Sequence, residues 1–237
     1  MTESKNLKKW QEIWTKKGKV QTPTTLLELI HIDGFDSGIS QMTEAIWYKL
    51  VDKVHARLAL TQADHILEVG CGAGALLIPL AEKGLKCVGV DYSASLIEVA
   101  QNYSDKATFE VAEISQLPFE AQTFNKVFLH SVSQYLGNLE YAEKAFQELL
   151  RVCRQPSKIA FFDVPDFAKK EASEATRAAE IGVEKYKALY SELQHLYYPK
   201  EWFEELGQKY GYTATIQDND LTEYGSSQFR FDVVLSK

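Results

Sequence analysis

The sequence contains few cysteines and no long apolar run. Its three cysteines, Cys71, Cys87 and Cys153, lie far apart and form no C-x-x-C pair, so neither a disulfide framework nor a zinc ribbon is expected. The longest apolar stretches, such as residues 76–81, are much shorter than the roughly 20 residues that span a bilayer. These absences predict a cytoplasmic protein in a reducing compartment, without a membrane partner.

An excess of positive charge is also missing. The chain has 33 acidic and 26 basic side chains, which gives a net charge of −7. Because such a surface repels a phosphate backbone, nucleic acid is not expected as a partner. The five histidines show no metal-ligand spacing, so no metal is predicted, and no apolar run follows the first lysines to suggest a signal peptide. A small-molecule partner, bound by a monomer or homodimer, is the remaining expectation.

The composition that is present is ordinarily globular, with 237 residues of which 45% are hydrophobic and 25% charged. This length suits one large domain, or a core domain with an attached cap. In residues 1–60 apolar side chains recur at helical spacing, as at Leu7, Trp10 and Trp14. We therefore predict an N-terminal helical cap over residues 1–60.

From Asp64 onward, short apolar strands alternate with helices of ten or more residues. Strands are predicted at 65–69, 86–90, 107–111, 126–130 and 159–163, and two closing strands at 213–217 and 229–235. The alternation implies βαβ crossovers and a parallel sheet, and the short link between the last two strands implies that they pair antiparallel. The predicted fold class is α/β, with a seven-stranded, mostly parallel sheet and an antiparallel last strand.

This sheet domain is predicted to extend over residues 61–237. Between its fifth and sixth strands lies a segment rich in Ala, Glu and Lys, which should be helical. We predict that this insertion, at about residues 166–198, forms a helical lid.

A glycine-rich loop follows the first predicted strand and precedes a helix. Gly70, Gly72 and Gly74 allow a tight turn and the close approach of a ligand to the backbone at the positive end of that helix. Asp91 ends the next strand, where a carboxylate accepts hydrogen bonds from both hydroxyls of a ribose. The combination predicts a nucleotide-type site, although Gly70, Gly72 and Ala75 also satisfy the dinucleotide fingerprint.

The segments around this loop resemble four motifs of the class I S-adenosylmethionine-dependent methyltransferases. EVGCGAG at 68–74 resembles the first motif and VGVDYS at 88–93 the second. AEISQLPF at 112–119 resembles the third, with Glu113 where Asp is usual, and FNKVFLHS at 124–131 resembles the fourth, with Asn125 where Asp is usual. The likeness is to the small-molecule type, methyltransferase-domain 11/25-like, and covers about residues 66–164.

The resemblance implies a Rossmann-like fold, S-adenosyl-L-methionine as the cofactor and S-adenosyl-L-homocysteine as its product. It implies that Glu68 helps to hold the methionine part, that Asp91 binds the ribose and that Glu113 contacts the adenine amine. The implied cofactor-binding residues are Glu68, Gly70, Cys71, Gly72, Gly74, Asp91, Tyr92, Glu113, Ile114 and His130.

A catalytic base is needed only if the methyl acceptor is a hydroxyl or an ammonium. His130 is the first candidate, because it ends the fourth strand at the edge where open α/β sheets bind ligands. His195, in the tyrosine-rich stretch before Pro199, is the second. The alternative for His130 is packing beside the cofactor, and for His195 it is an ordinary surface or capping histidine.

Aromatic side chains supply the candidate substrate contacts. Trp10, Trp14 and Trp47 have helical spacing and are predicted to be core residues. Arg230, in an otherwise apolar strand, is either a partner for a substrate acid or a charge that protects an edge strand. The predicted substrate-binding residues are Tyr135, Tyr197, Tyr198 and His31.

These observations predict an S-adenosylmethionine-dependent methyltransferase that acts on a small molecule by O- or N-methylation. One alternative is a nicotinamide-dependent oxidoreductase that uses the same glycine loop; the acid two positions before Gly70 and the Leu-Pro-Phe segment at 117–119 argue against it. The other is a catalytically silent S-adenosylmethionine-binding module, which stays open because the motifs describe binding and not turnover.

Overall fold

A computed structural model describes residues 5–19, 22–36, 38–191 and 193–237. Residues 1–4, 20, 21 and 37 of the predicted cap, and residue 192 of the predicted insertion, lie outside the described residues. The predictions for those positions stay predictions.

Within the described residues, seven strands form one sheet in the order β3-β2-β1-β4-β5-β7-β6. Only β7 runs against its neighbours, since it pairs antiparallel with both β5 and β6 while the other described pairs are parallel. The predicted α/β sheet with an antiparallel last strand is confirmed. The strands are β1 His65–Val69, β2 Lys86–Asp91, β3 Thr108–Val111, β4 Phe124–His130, β5 Cys153–Pro165, β6 Thr213–Asp218 and β7 Arg230–Ser236.

Helices precede the sheet, connect its strands and follow β5. In the described part of the chain they are α1 Lys5–Lys17, α2 Leu26–Ile32, α3 Glu44–Leu58, α4 Leu77–Glu82, α5 Ala94–Tyr103, α6 Leu139–Val152, α7 Lys170–Ile181, α8 Val183–Tyr190 and α9 Lys200–Tyr210. The helix predicted over 169–193 is divided into α7 and α8, because Gly182 takes a φ of +91°, which no helix continues through.

Local sequence explains where several helices begin. Thr25 and Glu28 form a capping box at the start of α2, and the side chains of Thr43 and Ser93 cap α3 and α5. Apolar side chains then fill a core on each face of the sheet. Trp47 of α3 lies in one core, and Phe146 of α6 lies in the other.

Strand β5 begins six residues earlier than predicted. Cys153 pairs with Phe124 of β4, and Lys158 pairs with both Lys126 of β4 and Ser236 of β7. Residues 154–156 are polar or proline and are exposed, so they show no apolar alternation that marks a strand in the sequence.

The fold places one edge of the sheet for ligand binding. Strand β1 lies between β2 and β4, so the strand order reverses there, and open α/β sheets bind ligands at the carboxyl ends of such strands. Helix α1 is joined to this edge by hydrogen bonds from Ser95 Oγ and Tyr92 Oη to its backbone carbonyls. Over the residues that the structure describes, none of the helices is both long and apolar enough to cross a membrane.

Candidate functional site

A cavity of about 880 Å³ lies at the carboxyl ends of β1, β2 and β4. Its walls come from the glycine loop, from α1 and from α7 and α8 of the insertion after β5. The volume is at the upper end of the range typical of small-molecule sites, which is about 300–1,000 Å³. Most of the residues that the sequence predicts for the site line this cavity.

The glycine loop is fixed to β2 and tolerates no side chains at two of its glycines. The backbone N–H groups of Gly70 and Cys71 both donate to Val90 O, at 2.7 and 3.0 Å. A Cβ on Gly70 would lie 2.4 Å from Val132, and one on Gly72 would lie 2.3 Å from Asp33 Oδ1. Both glycines also have positive φ, so the loop backbone itself forms part of the cavity wall.

Gly74 differs from the other two glycines, because it does not line the cavity. A Cβ there would lie 3.0 Å from the ring of Phe109, so Gly74 permits close packing of the loop on the sheet. The structure thus gives Gly74 a packing role, and its predicted contact with a cofactor stays a prediction.

Asp91 ends β2 and faces the loop, as predicted. Its carboxylate accepts hydrogen bonds from Gly72 N at 3.1 Å and Ser93 N at 2.8 Å. Burial raises the pKa of Asp91 to about 6, although the two backbone bonds act in the other direction.

Asp33 was not predicted as a site residue, yet its carboxylate is hydrogen-bonded to the backbone of the glycine loop. It follows α2 and accepts hydrogen bonds from Ala73 N at 2.7 Å and Ala75 N at 3.2 Å. Burial raises its pKa to about 7, against the lowering effect of those two bonds. Nothing in the local sequence identifies it, because Asp33-Gly34 resembles an ordinary turn and its partners lie some forty residues away.

Glu68, the third acid, lies in β1 and is 2% exposed. Among the described residues no donor is within hydrogen-bond reach of its buried Oε2. Burial, with the nearby charges of Asp33 and Asp91, raises the pKa of Glu68 well above its usual value. A buried acceptor without a donor, beside two more carboxylates, fits a ligand that brings a positively charged donor.

Other residues predicted to contact a cofactor also line the cavity, namely Cys71, Tyr92, Glu113, Ile114 and His130. Gln11 Nε2 donates to Glu113 Oε1 at 2.8 Å, which joins α1 to the third motif. These positions agree with the predicted set, and their contact with a cofactor stays a prediction.

His130 is buried between aromatic rings at the end of β4. Its ring stacks on Phe35 at 5.5 Å and meets the edge of Trp47 at 5.8 Å, measured between centroids. Burial, together with the charges of Lys53 and Arg230, lowers the pKa of His130 to about 3. The imidazole is therefore neutral at physiological pH, with an unprotonated nitrogen but a low affinity for a proton.

His195 also lines the cavity, where it stacks on Trp10 with centroids 4.9 Å apart. Its Nδ1 lies within hydrogen-bond distance of Arg177 Nη1. Because a guanidinium only donates, Nδ1 must be the acceptor, which leaves the single ring proton on Nε2. This hydrogen bond engages the lone pair that a base would use, and the prediction that His195 is a base stays a prediction.

The aromatic wall of the cavity contains residues that were predicted to be core. Trp10 and Trp14 of α1 contact the ring of Tyr135, with centroids 4.8 and 5.6 Å apart. Trp47 is 1% exposed and also borders the cavity. The buried Nε1–H of Trp14 has no acceptor among the described residues. Tyr135, a predicted substrate contact, does lie in this wall.

Tyr197, Tyr198 and His31 are outside the cavity. The hydroxyl of Tyr198 donates to Ser133 O at 2.9 Å, and its ring is buried in the core shared with Phe203. Tyr197 accepts a hydrogen bond from Arg177 Nη2 at 2.5 Å and so acts behind the wall. The prediction that these three residues touch substrate is not supported by their positions.

Within the described residues no group of three or more His, Cys, Asp or Glu side chains is arranged to hold a metal ion. The three acids at the loop do not form such a group.

Comparison with known proteins agrees with this geometry. Residues 67–161 match the family model of the methyltransferase domain. The sterol 4-C-methyltransferase strm-1 of Caenorhabditis elegans is 27% identical over 114 residues, which cover 46% of this chain and 33% of the relative. The O-methyltransferase resE of Aspergillus sclerotiorum is 29% identical over 143 residues, which cover 57% and 53%. The chain thus spans about half, or less, of the length of these curated relatives.

A solved structure shows the same fold over nearly the whole chain. Magnesium protoporphyrin IX methyltransferase (ChlM) from Synechocystis PCC 6803, with bound SAH, aligns with a TM-score of 0.58 at 15% identity. The alignment covers 96% of this chain and 93% of that one. Residues 67–161 thus match a methyltransferase domain, the relatives that align with this part of the chain include methyltransferases, and the chain has the fold of a methyltransferase of known structure.

Proposed function

We propose that this chain methylates a small molecule that binds beside the cofactor in the 880 Å³ cavity, with an oxygen or a nitrogen as the methyl acceptor. The observation that carries the proposal is the buried Glu68 carboxylate, whose Oε2 has no donor among the described residues. Such an atom is costly unless a ligand supplies its partner. Bound S-adenosyl-L-methionine would supply a sulfonium methyl group for transfer and an ammonium group that can donate to Glu68.

The chain's own residues would bind the cofactor and orient it. Glu68 would accept from the ammonium, Asp91 would accept from the ribose hydroxyls, and Glu113 and Ile114 would hold the adenine. Asp91 is already held by two backbone N–H groups, so its carboxylate needs little reorganisation on binding. Asp33 fixes the loop that these groups share.

His130 is the residue proposed to touch the acceptor. With a pKa lowered to about 3 it is a weak base, so it orients a neutral hydroxyl or amine by accepting a hydrogen bond rather than by storing a proton. Positioning of the two reactants is the larger contribution in such reactions, roughly 7–11 kcal/mol in favourable intramolecular systems.

Residues 1–60 and the insertion at 166–198 are proposed to act as cap and lid. Asn6 Nδ2 and Trp10 Nε1 both donate to Gln194 O, at 2.8 and 3.2 Å, and so join α1 to the end of the insertion. We propose that this contact holds the cap and the lid together beside the cavity and so limits the entry of water.

Calorimetric titration with S-adenosylhomocysteine tests the binding half of the proposal. We expect a one-to-one complex whose affinity falls sharply in Asp91→Ala, and NADH is expected not to bind. No heat with S-adenosylhomocysteine at millimolar concentration, or a signal only with NADH, would contradict the proposal.

The transfer half is tested by incubating the protein with methyl-labelled cofactor and a fractionated small-molecule extract, followed by mass spectrometry. Labelled product that requires active protein supports transfer, and the position of the label identifies the acceptor atom. Binding of S-adenosylhomocysteine without any labelled product would favour the silent cofactor-binding module.

A further inference from the structure

The part of the cavity at α7 and α8 differs in charge from the part at the glycine loop. We use the term acid end for Asp33, Glu68 and Asp91. The term arginine end is used for another group of residues that line the same cavity, namely Arg177, Arg230, His195, Tyr135, Tyr190, Trp10 and Trp14. Burial and the charges of Asp33 and Asp91 raise the pKa of Glu68, whereas burial and the charges of Arg177 and Arg230 lower the pKa of His195. Each end therefore has its own electrostatic neighbourhood.

Arg177 of α7 has more hydrogen-bond donors than partners. It donates to Tyr197 Oη and His195 Nδ1, which use two of its five N–H groups. Its Nε is buried and has no acceptor among the described residues. Nor does any carboxylate in the described part of the chain form an ion pair with it.

Arg177 is also held in position before any ligand binds. Its guanidinium carbon lies 5.4 Å from the ring centroid of Tyr190 and 5.9 Å from that of Tyr186. Such stacking fixes the plane of the Arg177 guanidinium, so less conformational entropy is lost when the guanidinium pairs with an anion. An arginine in the cavity wall, oriented and lacking a counter-ion, is suited to bind a carboxylate.

Arg230 of β7 adds positive charge at the same end. It is 8% exposed and donates through Nη1 to Gln134 Oε1 at 3.0 Å and Asp163 O at 3.3 Å. Its Nε lies 4.0 Å from Asp163 Oδ1, but Asp163 also accepts from Ser131 Oγ at 2.8 Å. The charge of Arg230 is therefore partly balanced, and that of Arg177 is not.

Aromatic rings also line this end of the cavity. Tyr135, Trp10 and Tyr190 each pack on His195, with centroid separations between 4.9 and 5.7 Å. The buried Nε1–H of Trp14, which contacts the same Tyr135, also has no acceptor. The arginine end thus combines flat apolar walls with two buried donors that lack partners.

From this arrangement we propose that the methyl acceptor is a planar, apolar acid, whose carboxylate pairs with Arg177 while its ring packs among Trp10, Tyr135 and Tyr190. The inference rests on the proposed function and names the substrate class for the same cavity. The acid end and the arginine end then bind oppositely charged molecules, the cationic cofactor and the anionic acceptor.

Matched acid and amide probes test this substrate class. Benzoate, cinnamate and indole-3-acetate are each titrated against their neutral amides, by calorimetry at pH 7.5, with and without saturating S-adenosylhomocysteine. We expect at least one acid to bind the wild-type protein about tenfold or more tightly than its amide, the range of one charged hydrogen bond. Equal affinity for acid and amide across the three pairs, or no binding of any acid, would overturn the proposal.

Variants separate recognition of the acid from a structural role of Arg177. Arg177→Met should abolish the preference for the acid, and Arg177→Lys should restore part of it, while the affinity for S-adenosylhomocysteine stays unchanged. Arg154→Met removes the same charge at an exposed site at the start of β5 and should keep the full preference. Loss of the preference in Arg154→Met, or its persistence in a folded Arg177→Met, would refute the assignment to Arg177.

These experiments distinguish a failure of the substrate class from a failure of the proposed function. Failure to bind S-adenosylhomocysteine would defeat the methyltransferase proposal, and the titrations without it would still measure the acid preference. Normal binding of S-adenosylhomocysteine without any acid preference would defeat only the proposed substrate class.

Discussion

At the acid end of the cavity a buried acceptor, Glu68 Oε2, has no donor, whereas at the arginine end two buried donors, Arg177 Nε and Trp14 Nε1, have no acceptor among the described residues. Native proteins leave few buried polar atoms unpaired, so each of these atoms points to a ligand group of the opposite kind. The two ends therefore differ in the ligand group that would pair with them, which is a cationic donor at the glycine loop and an acceptor-rich group beside α7.

The two ends also differ in how firmly the fold holds them. The acid end is built on β1 and β2, whose residues are nearly all buried and paired on both sides. The arginine end depends on α7, which buries only Ser173, and on α8, which buries no residue that the structure describes. Few buried contacts mean a low local free energy of opening, so the arginine end is the part suited to admit and release a substrate.

Hydrogen exchange should show this contrast as the largest effect. We expect amides of α7 and α8 to exchange at least about a hundredfold faster than those of β1, because local opening of the helices costs several kcal/mol less than global unfolding. Mass spectrometry of peptides from 170–190 and 65–69 measures both rates. Equal protection of the two segments would mean that the lid and the sheet open as one unit.

Glu68→Gln should weaken cofactor binding at the acid end. The neutral side chain loses the charged hydrogen bond to the cofactor's ammonium, so we expect S-adenosylhomocysteine to bind about 2 kcal/mol, or some thirtyfold, more weakly. The same change removes a buried carboxylate with a strongly raised pKa, so the unliganded protein should become more stable at pH 8. Glu98→Gln, on the exposed side of α5, is the control and should change neither value.

Asp33→Ala should weaken the same end by a different route, because it removes the acceptor for the N–H groups of Ala73 and Ala75. We expect a loss of about 1.5 kcal/mol in cofactor affinity, together with faster amide exchange in residues 70–76. Asp36→Asn, at the exposed neighbouring acid, serves as the control. Unchanged exchange in the loop would show that Asp33 does not hold it.

The pH dependence of stability should separate the two ends further. Burial raises the pKa of Asp33 to about 7, while the same group in the unfolded chain titrates near 4. Between about pH 4 and pH 7 the folded protein therefore binds more protons than the unfolded chain. The free energy of unfolding falls as the pH rises over this range. Between pH 6 and 8 Asp33→Asn should remove about 1 kcal/mol of this fall, as measured by urea denaturation. An unaltered slope would contradict the raised pKa.

Sequence predicted the acid end far better than the arginine end, and the reason is local encoding. Glu68, Gly70, Gly72 and Asp91 lie within 24 consecutive positions, where each is fixed by its place at the end of a strand or in the loop that follows. The strand order and the antiparallel last strand followed from the same alternation of short strands and helices.

The arginine end is assembled from segments far apart in the chain. Arg177 and His195 are 18 positions apart, and Trp10 of α1 reaches Gln194 O over 184 positions. Helical spacing identified Trp10 and Trp14 as residues with a buried face, and it does not distinguish a core from a cavity wall. Asp33 was missed for the same reason, since only the tertiary structure brings it to Ala73.

The smallest effect should come from Tyr198→Phe, a substitution that tests whether Tyr198 belongs to the core and not to the arginine end. The Tyr198 hydroxyl donates to Ser133 O at 2.9 Å, and the ring is outside the cavity, so we expect a loss of about 1 kcal/mol in stability with no change in ligand affinity. Tyr135→Phe keeps a ring that lines the cavity and should alter the affinity for an aromatic acid while leaving stability nearly unchanged. Thermal denaturation and probe titration measure the two quantities on both variants. A change of probe affinity in Tyr198→Phe would extend the arginine end to a residue that the fold places behind its wall.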